Sequence, residues 1–167
     1  YETLRAEMDS EVIAWTHEAI DAVSDGVTLA RGRGKQGYGP GEYDRCVAEA
    51  SQRLSSIADR GRLFFPNERP ADHGVQKEGA FQGFRPPILD AVVFAHARLD
   101  RMQTGEASPD DASAGYLVKC RRLLVSEAQN AIDPRRRKQM LRRLKIGRED
   151  DKVSAFRVAA ELGEEME

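Results

Sequence analysis

The chain has 167 residues, of which 40% are hydrophobic and 32% charged, and its formal net charge is −2. This length and composition are typical of one globular domain with enough apolar surface for a core. They exclude a membrane-spanning segment within these residues, because the longest apolar run covers only residues 91–95, and about 20 apolar residues are needed to cross a bilayer. Two cysteines do not make a disulfide framework, so we expect a cytoplasmic protein.

Apolar residues recur every three or four positions along the first part of the chain, which is the period of an amphipathic helix. The first such stripe covers residues 4–27, and the second, residues 43–57, has the 4-3-4-3 spacing of a helix packed against another helix. Between them, residues 32–41 contain five of the fourteen glycines. This glycine content predicts a flexible loop.

Residues 62–86 have no helical period and contain Pro66, Pro70 and Pro86. The same segment holds four of the six phenylalanines, at positions 64, 65, 81 and 84. Such a segment is too apolar for a solvated linker. We therefore predict an ordered loop that folds back onto the domain with its four rings in the core.

The remaining residues again have helical character. Pro86 and Pro87 predict a helix start, and the apolar period continues to about Thr104. Ser108 is predicted to cap the next helix, with Pro109 at its first position. After a break at residues 133–134, the pattern predicts a short basic helix and then an amphipathic segment over residues 153–162.

Together these elements predict an all-α, four-helix-bundle-like domain with a long ordered Phe/Pro-rich loop and a short basic C-terminal helix. The bundle domain is expected over residues 1–133. Residues 134–167 are expected to form the basic helix and an acidic amphipathic tail, either packed on the bundle or projecting from it.

The sequence gives little support for the common catalytic and cofactor-binding motifs. Residues 32–37 match the glycine pattern of dinucleotide-binding loops, but that motif follows a strand and here follows a helical stripe. The three histidines are far apart, and none has a second His or Cys at metal-ligand spacing. Cys46 and Cys120 lie on apolar stripes, which favours core packing. We therefore predict no cofactor, no metal site and no catalytic residue.

Two surfaces are candidates for binding. The Phe-rich loop begins and ends with aromatic residues next to arginine and proline. These residues either anchor the loop to the bundle or form a groove for a peptide or small anion. The candidate groove residues are Arg62, Phe64, Phe65, Phe84 and Arg85. If the loop were instead part of an enzyme site, Asp90 or Glu127 would have to lie beside Arg62 and Arg85.

The second surface is the basic segment, residues 133–148, which has eight basic residues and one acidic residue and hence a net charge of +7. It is predicted to bind nucleic acid, anionic lipid or an acidic partner, or else to be solvated and neutralised by the acidic ends of the chain, each of which carries −5. The candidate anion- or partner-binding residues are Arg135, Arg136, Arg137, Lys138, Arg142 and Arg143.

Several motifs together resemble a group of uncharacterised bacterial proteins that have an N-terminal transmembrane helix followed by a helical cytoplasmic domain. The motifs are Gly61-Arg62-Leu63-Phe64-Phe65-Pro66-Asn67, Phe81-Gln82-Gly83-Phe84-Arg85, Pro87-Ile88-Leu89-Asp90, Val125-Ser126-Glu127 and Ile132-Asp133-Pro134-Arg135-Arg136-Arg137. The resemblance covers residues 10–140 or so. It implies a tether to the inner membrane through a segment before Tyr1, and it implies no activity.

We therefore expect a non-enzymatic interaction or scaffold domain that binds a protein partner or a second copy of itself. The alternative is a nucleic-acid-binding protein that uses residues 135–148.

Overall fold

The computed structural model describes residues 2–32, 37–133, 135 and 150–166. Within these residues it contains five α-helices and no strand, which confirms the predicted all-α class. The helices are α1 (Glu2–Ala30), α2 (Glu42–Gly61), α3 (Pro87–Thr104), α4 (Asp111–Ile132) and α5 (Asp150–Glu164).

The first four helices form the bundle. α1 and α3 each pack against both α2 and α4, so the four helices enclose one core. Val23, Leu54, Val92 and Leu124 are fully buried there, one from each helix. The apolar stripes that predict the helices thus supply the core, because each stripe faces the centre of the bundle.

The contact between α1 and α2 depends on a tryptophan packed against a glycine. The indole Nε1 of Trp15 donates a hydrogen bond to the carbonyl of Ile57 at 2.8 Å. A Cβ atom on Gly61 would lie 2.6 Å from the Trp15 ring and 2.6 Å from Leu89. The absence of a side chain at Gly61 therefore lets Trp15 and Leu89 pack at the end of α2.

The helix ends agree with the sequence in one case and differ in another. α3 begins with Pro87 in its first turn and ends at Thr104, as predicted, and the next residue, Gly105, has a left-handed φ of 81°. α4 is not capped by Ser108, so that prediction is wrong. Asp110 caps it, and Asp110 Oδ1 accepts a hydrogen bond from the Ser113 amide at 2.8 Å. A carboxylate two residues downstream takes the cap position because it reaches that amide directly.

The last amphipathic segment, α5, packs on α3 and α4. Ala159 and Leu162 are buried there. The hydroxyl of Tyr116 donates a hydrogen bond to the carbonyl of Leu162 at 2.8 Å, and Lys119 pairs with Glu165 at 2.6 Å. Of the two arrangements that the sequence left open for this segment, packing on the bundle is the one observed.

The Phe-rich loop, residues 62–86, is closed by backbone hydrogen bonds. Glu68 and Phe84 form an isolated antiparallel bridge, with N–H to carbonyl distances of 2.8 and 2.7 Å. The amide of Gly83 donates to the carbonyl of His73 at 2.7 Å. These bonds give the loop its own internal structure, although it lies between two helices.

The rings of this loop do not all enter the core. Phe64 and Phe65 pack against it, and Phe65 lies 5.3 Å from Trp15. Phe81 and Phe84 remain 42% and 38% exposed, so the prediction that all four rings are buried is wrong for these two. Instead, the guanidinium of Arg62 covers the Phe81 ring at 4.5 Å, and the guanidinium of Arg69 covers Phe84 at 4.8 Å.

Candidate functional site

A groove of about 760 Å³ lies where the Phe-rich loop, α3 and α5 meet. We call it the loop–α5 groove. Its titratable lining residues are Arg62, His73, Lys77, Glu78, Arg85 and Asp90. Its aromatic lining residues are Phe81, Phe84, Phe94 and Phe156. The rest of the lining is small or neutral: Asn67, Gly83, Ala159, Ala160 and Gly163.

An ion pair occupies the α3 side of the groove. Arg85 Nε donates to Asp90 Oδ1 at 2.5 Å, and the two side chains are 29% and 14% exposed. Burial raises the pKa of the Asp90 carboxyl, and this effect exceeds the opposing effects of Arg85 and Arg62. Arg85 also lies 5.7 Å from the Phe94 ring centre. The guanidinium is therefore held in place by a carboxylate and an aromatic ring.

The raised pKa of Asp90 predicts how stability changes with pH. Above the pKa of an unfolded aspartate, about 3.9, the unfolded chain loses this proton before the folded chain does. Stability therefore falls as the pH rises from that value through the raised pKa of Asp90. Urea denaturation across this pH range should show the Asp90→Asn variant gaining stability relative to the wild type. If the Asp90→Asn variant instead lost stability relative to the wild type as the pH rises, the effect of Arg85 on the Asp90 pKa would exceed that of burial.

Arg62 and Asn67 bring buried polar atoms to the groove. The Arg62 side chain is only 16% exposed, and its Nε lies 3.6 Å from an oxygen of Asp59, beyond hydrogen-bond geometry. Among the described residues, neither Arg62 Nε nor Asn67 Oδ1 has a hydrogen-bond partner. Leaving such atoms buried and unpaired is unfavourable by about 1–3 kcal/mol each. One donor and one acceptor thus lie unpaired beneath the groove surface, where a ligand would satisfy them only after the surrounding side chains move.

The candidate groove residues from the sequence divide into two groups. Arg62, Phe84 and Arg85 line the loop–α5 groove. Phe64 and Phe65 do not, because they pack against the core and anchor the start of the loop. Phe64 and Phe65 therefore anchor the loop, while ligand binding by Arg62, Phe84 and Arg85 stays a prediction.

Other groove residues were missed by sequence reasoning. His73 lies in the predicted loop and stacks on Phe84 with ring centres 5.2 Å apart. The sequence gives no sign of this stacking, because His73 and Phe84 are eleven positions apart. Phe94 and Phe156 follow helical apolar periods, and such positions predict core rather than groove.

The carboxylates named for an enzyme site lie in different places. Asp90 lies beside Arg85, as that hypothesis requires. Glu127 is absent from the groove lining, and its carboxylate accepts a hydrogen bond from Asn130 at 3.4 Å. Burial raises the pKa of Glu127. The described lining contains no Ser, Thr, Cys or Tyr, so none of these lining residues supplies a hydroxyl or thiol nucleophile.

The cysteines and the remaining histidines lie outside this groove. Cys120 is fully buried, and burial raises its pKa to about 12, which keeps it a thiol at neutral pH. Cys46 is half-buried. His96 Nδ1 lies 3.0 Å from Ser51 Oγ and 2.9 Å from the Ser51 carbonyl oxygen. The described ranges contain no group of three or more His, Cys, Asp or Glu that could hold a metal ion.

Most of the basic segment lies outside the described residues. Arg135 is exposed, and its backbone amide donates to Asp133 Oδ1 at 2.8 Å. The other candidates, Arg136, Arg137, Lys138, Arg142 and Arg143, fall in the ranges that the structure does not describe. Part of the glycine-rich loop, residues 33–36, does as well.

No helix among the described residues is long and apolar enough to cross a membrane. Comparison of the chain with models of protein families, with curated proteins and with solved structures found no match.

Proposed function

We propose that this chain is a non-enzymatic helical interaction domain that binds a protein partner in the loop–α5 groove. The observation that carries the proposal is the exposed pair Phe81 and Phe84, each with an arginine guanidinium against its ring, at the edge of this groove. Aromatic residues and arginine supply much of the binding energy at protein interfaces.

The groove is also organised before any partner arrives. The bridge between Glu68 and Phe84 holds the loop backbone, and the guanidiniums of Arg62 and Arg69 restrict the rings. Side chains that are already ordered lose less conformational entropy on binding. Leu63 and Val75, from the same loop, are 79% and 63% exposed and add apolar surface.

Selection from a displayed library of random peptides tests this proposal. We expect enriched peptides to bind the wild type and to lose at least about tenfold in affinity with either Phe81→Ala or Phe84→Ala, as for interface anchors. Val125→Ala is the matched control, since Val125 is 36% exposed on α4, away from the groove. Circular dichroism would verify that each variant is folded. Peptides that bind both alanine variants as tightly as the wild type, or a library that yields no enriched sequence, would contradict the proposal.

A second candidate function rests on the net charge of +7 in residues 133–148. We propose it as the alternative: binding of nucleic acid by this segment. Its affinity should fall steeply with salt and be largely lost when Arg135, Arg136, Arg137 and Lys138 are neutralised together. Filter binding to duplex and single strands measures this, and salt-independent or absent binding would reject it.

The cellular location stays a prediction of the resemblance. A tether to the inner face of a bacterial membrane would place the loop–α5 groove where it meets cytoplasmic partners. Fractionation of cells that express the full gene product would test it, and recovery of the product only in the soluble fraction would contradict it.

A further inference from the structure

We infer, on the basis of the proposed function, that the partner enters the loop–α5 groove as an extended peptide segment in which acidic and aliphatic residues alternate. Three features of the groove lead to this chemistry: its unpaired polar atoms, its charge and the different character of its two sides.

The unpaired polar atoms match a peptide group. Arg62 Nε is a donor and Asn67 Oδ1 is an acceptor. Both residues line the groove, but both atoms are shielded from solvent, so a ligand pairs with them only after the surrounding side chains move. A peptide unit presents a carbonyl acceptor and an N–H donor together. Inorganic phosphate also offers acceptors and, in its protonated forms at neutral pH, a P–OH donor, but it has no apolar group for the α5 side of the groove. The apolar α5 side of the groove therefore favours a peptide, which carries aliphatic side chains, over a small inorganic anion.

The charges of the groove favour acidic side chains. Three cations, Arg62, Lys77 and Arg85, line it, against the two acids Glu78 and Asp90. Asp90 bonds to Arg85 through Nε, a contact that does not involve the two terminal nitrogens of the guanidinium. Within the described part of the chain, Lys77 has no ion pair. A carboxylate in the groove would thus meet charge-assisted donors.

The two sides differ in polarity, which accounts for the alternation. The three cations and the two exposed rings all come from the loop. Among the residues whose side chains the structure describes, α5 contributes Phe156, Ala159, Ala160 and Gly163, which are apolar or small. Successive side chains of an extended chain point to opposite sides. An alternating sequence therefore directs carboxylates to the loop and aliphatic groups to α5.

Fluorescence anisotropy with a labelled, end-blocked Glu-Leu-Glu-Leu-Glu peptide tests the inference. We expect it to bind at least about tenfold more tightly than the matched Lys-Leu-Lys-Leu-Lys peptide and to lose about tenfold with Arg62→Met, which keeps the apolar stem but removes the charge. Millimolar inorganic phosphate should not displace it. Equal binding of the two peptides, or displacement by phosphate, would overturn the inference.

Backbone methylation gives a sharper measurement. N-methylation of the peptide amide that donates to Asn67 should lower the affinity of the Glu-Leu-Glu-Leu-Glu peptide for the wild type severalfold. The same methylation should not change the affinity for the Asn67→Leu variant, because that variant lacks the acceptor. Equal losses for both proteins would show that Asn67 accepts no peptide N–H.

The outcome also separates this inference from the proposed function. Groove-dependent peptides from the random library that are basic or neutral would overturn the acidic segment and leave the interaction domain in place. An absence of any groove-dependent peptide would remove both.

Discussion

Replacing Gly83 with alanine is expected to disrupt the Phe-rich loop and abolish binding in the groove while the four-helix bundle remains folded. Gly83 has a φ of +82°, a conformation that alanine adopts with a penalty of about 1–2 kcal/mol. A Cβ atom there would lie 2.3 Å from the backbone oxygen of Glu68 and 2.9 Å from Pro70. Neither backbone atom can move without breaking the loop structure.

The clash involves the acceptor of a backbone hydrogen bond that positions Phe84 in the groove. The Glu68 oxygen accepts the hydrogen bond from the Phe84 amide at 2.7 Å, so moving it opens the bridge that holds Phe84. Hydrogen exchange should become faster at the Glu68 and Phe84 amides and stay unchanged in α2. Binding of the acidic peptide should fall at least about tenfold, as for the loss of an interface anchor.

Gly79 is the matched control in the same loop. A Cβ atom at Gly79 would meet nothing within 4 Å, so Gly79→Ala should leave exchange and binding unchanged. A Gly83→Ala variant that exchanges and binds like the wild type would show that the bridge does not position the groove.

Trp15→Ala is expected to produce the largest loss of stability, about 3–5 kcal/mol in the free energy of unfolding. The ring is only 4% exposed, packs 5.3 Å from Phe65, and donates its N–H to the Ile57 carbonyl. Alanine would leave a cavity between α1 and α2 and remove that hydrogen bond. Urea denaturation followed by circular dichroism measures the change.

Two further variants keep this prediction testable if the alanine variant fails to fold. Trp15→Phe retains most of the ring and should lose less stability than Trp15→Ala. Met8→Ala, on the same helix but 57% exposed, should change stability by less than about 0.5 kcal/mol. A loss below about 1 kcal/mol for Trp15→Ala would mean that the Trp15 packing contributes little to the bundle.

The bundle could be predicted from sequence because its signals are local. Buried residues recur every three or four positions along a helix. The residues that bound a helix act through their own backbone conformation, as Pro87 does at the start of α3 and Gly105 just after its end. The α4 cap was misplaced because Ser108 and Asp110 are both good cap residues two positions apart. Only the backbone, extended at Asp110, decides between them.

The groove could be predicted only in part. Arg62, Phe84 and Arg85 stand out because arginine and aromatic residues are adjacent in a segment with no helical period. The α5 side could not be predicted, since Phe156 comes more than sixty residues after Asp90 and no local pattern brings them together. Phe81 and Phe84 stay outside the core, where an arginine guanidinium packs against each ring. This is a tertiary contact that composition does not encode.

The central claim is that the loop–α5 groove is the binding surface of this domain. Amide chemical shifts, recorded while the Glu-Leu-Glu-Leu-Glu peptide is titrated into the isotope-labelled chain, test it most directly. We predict shifts confined to residues 62–94 and 156–163, with a titration midpoint about tenfold higher in the Arg62→Met variant. Shifts centred instead on the exposed faces of α1 and α4, around Met8 and Val125, or an unchanged midpoint in that variant, would contradict the claim.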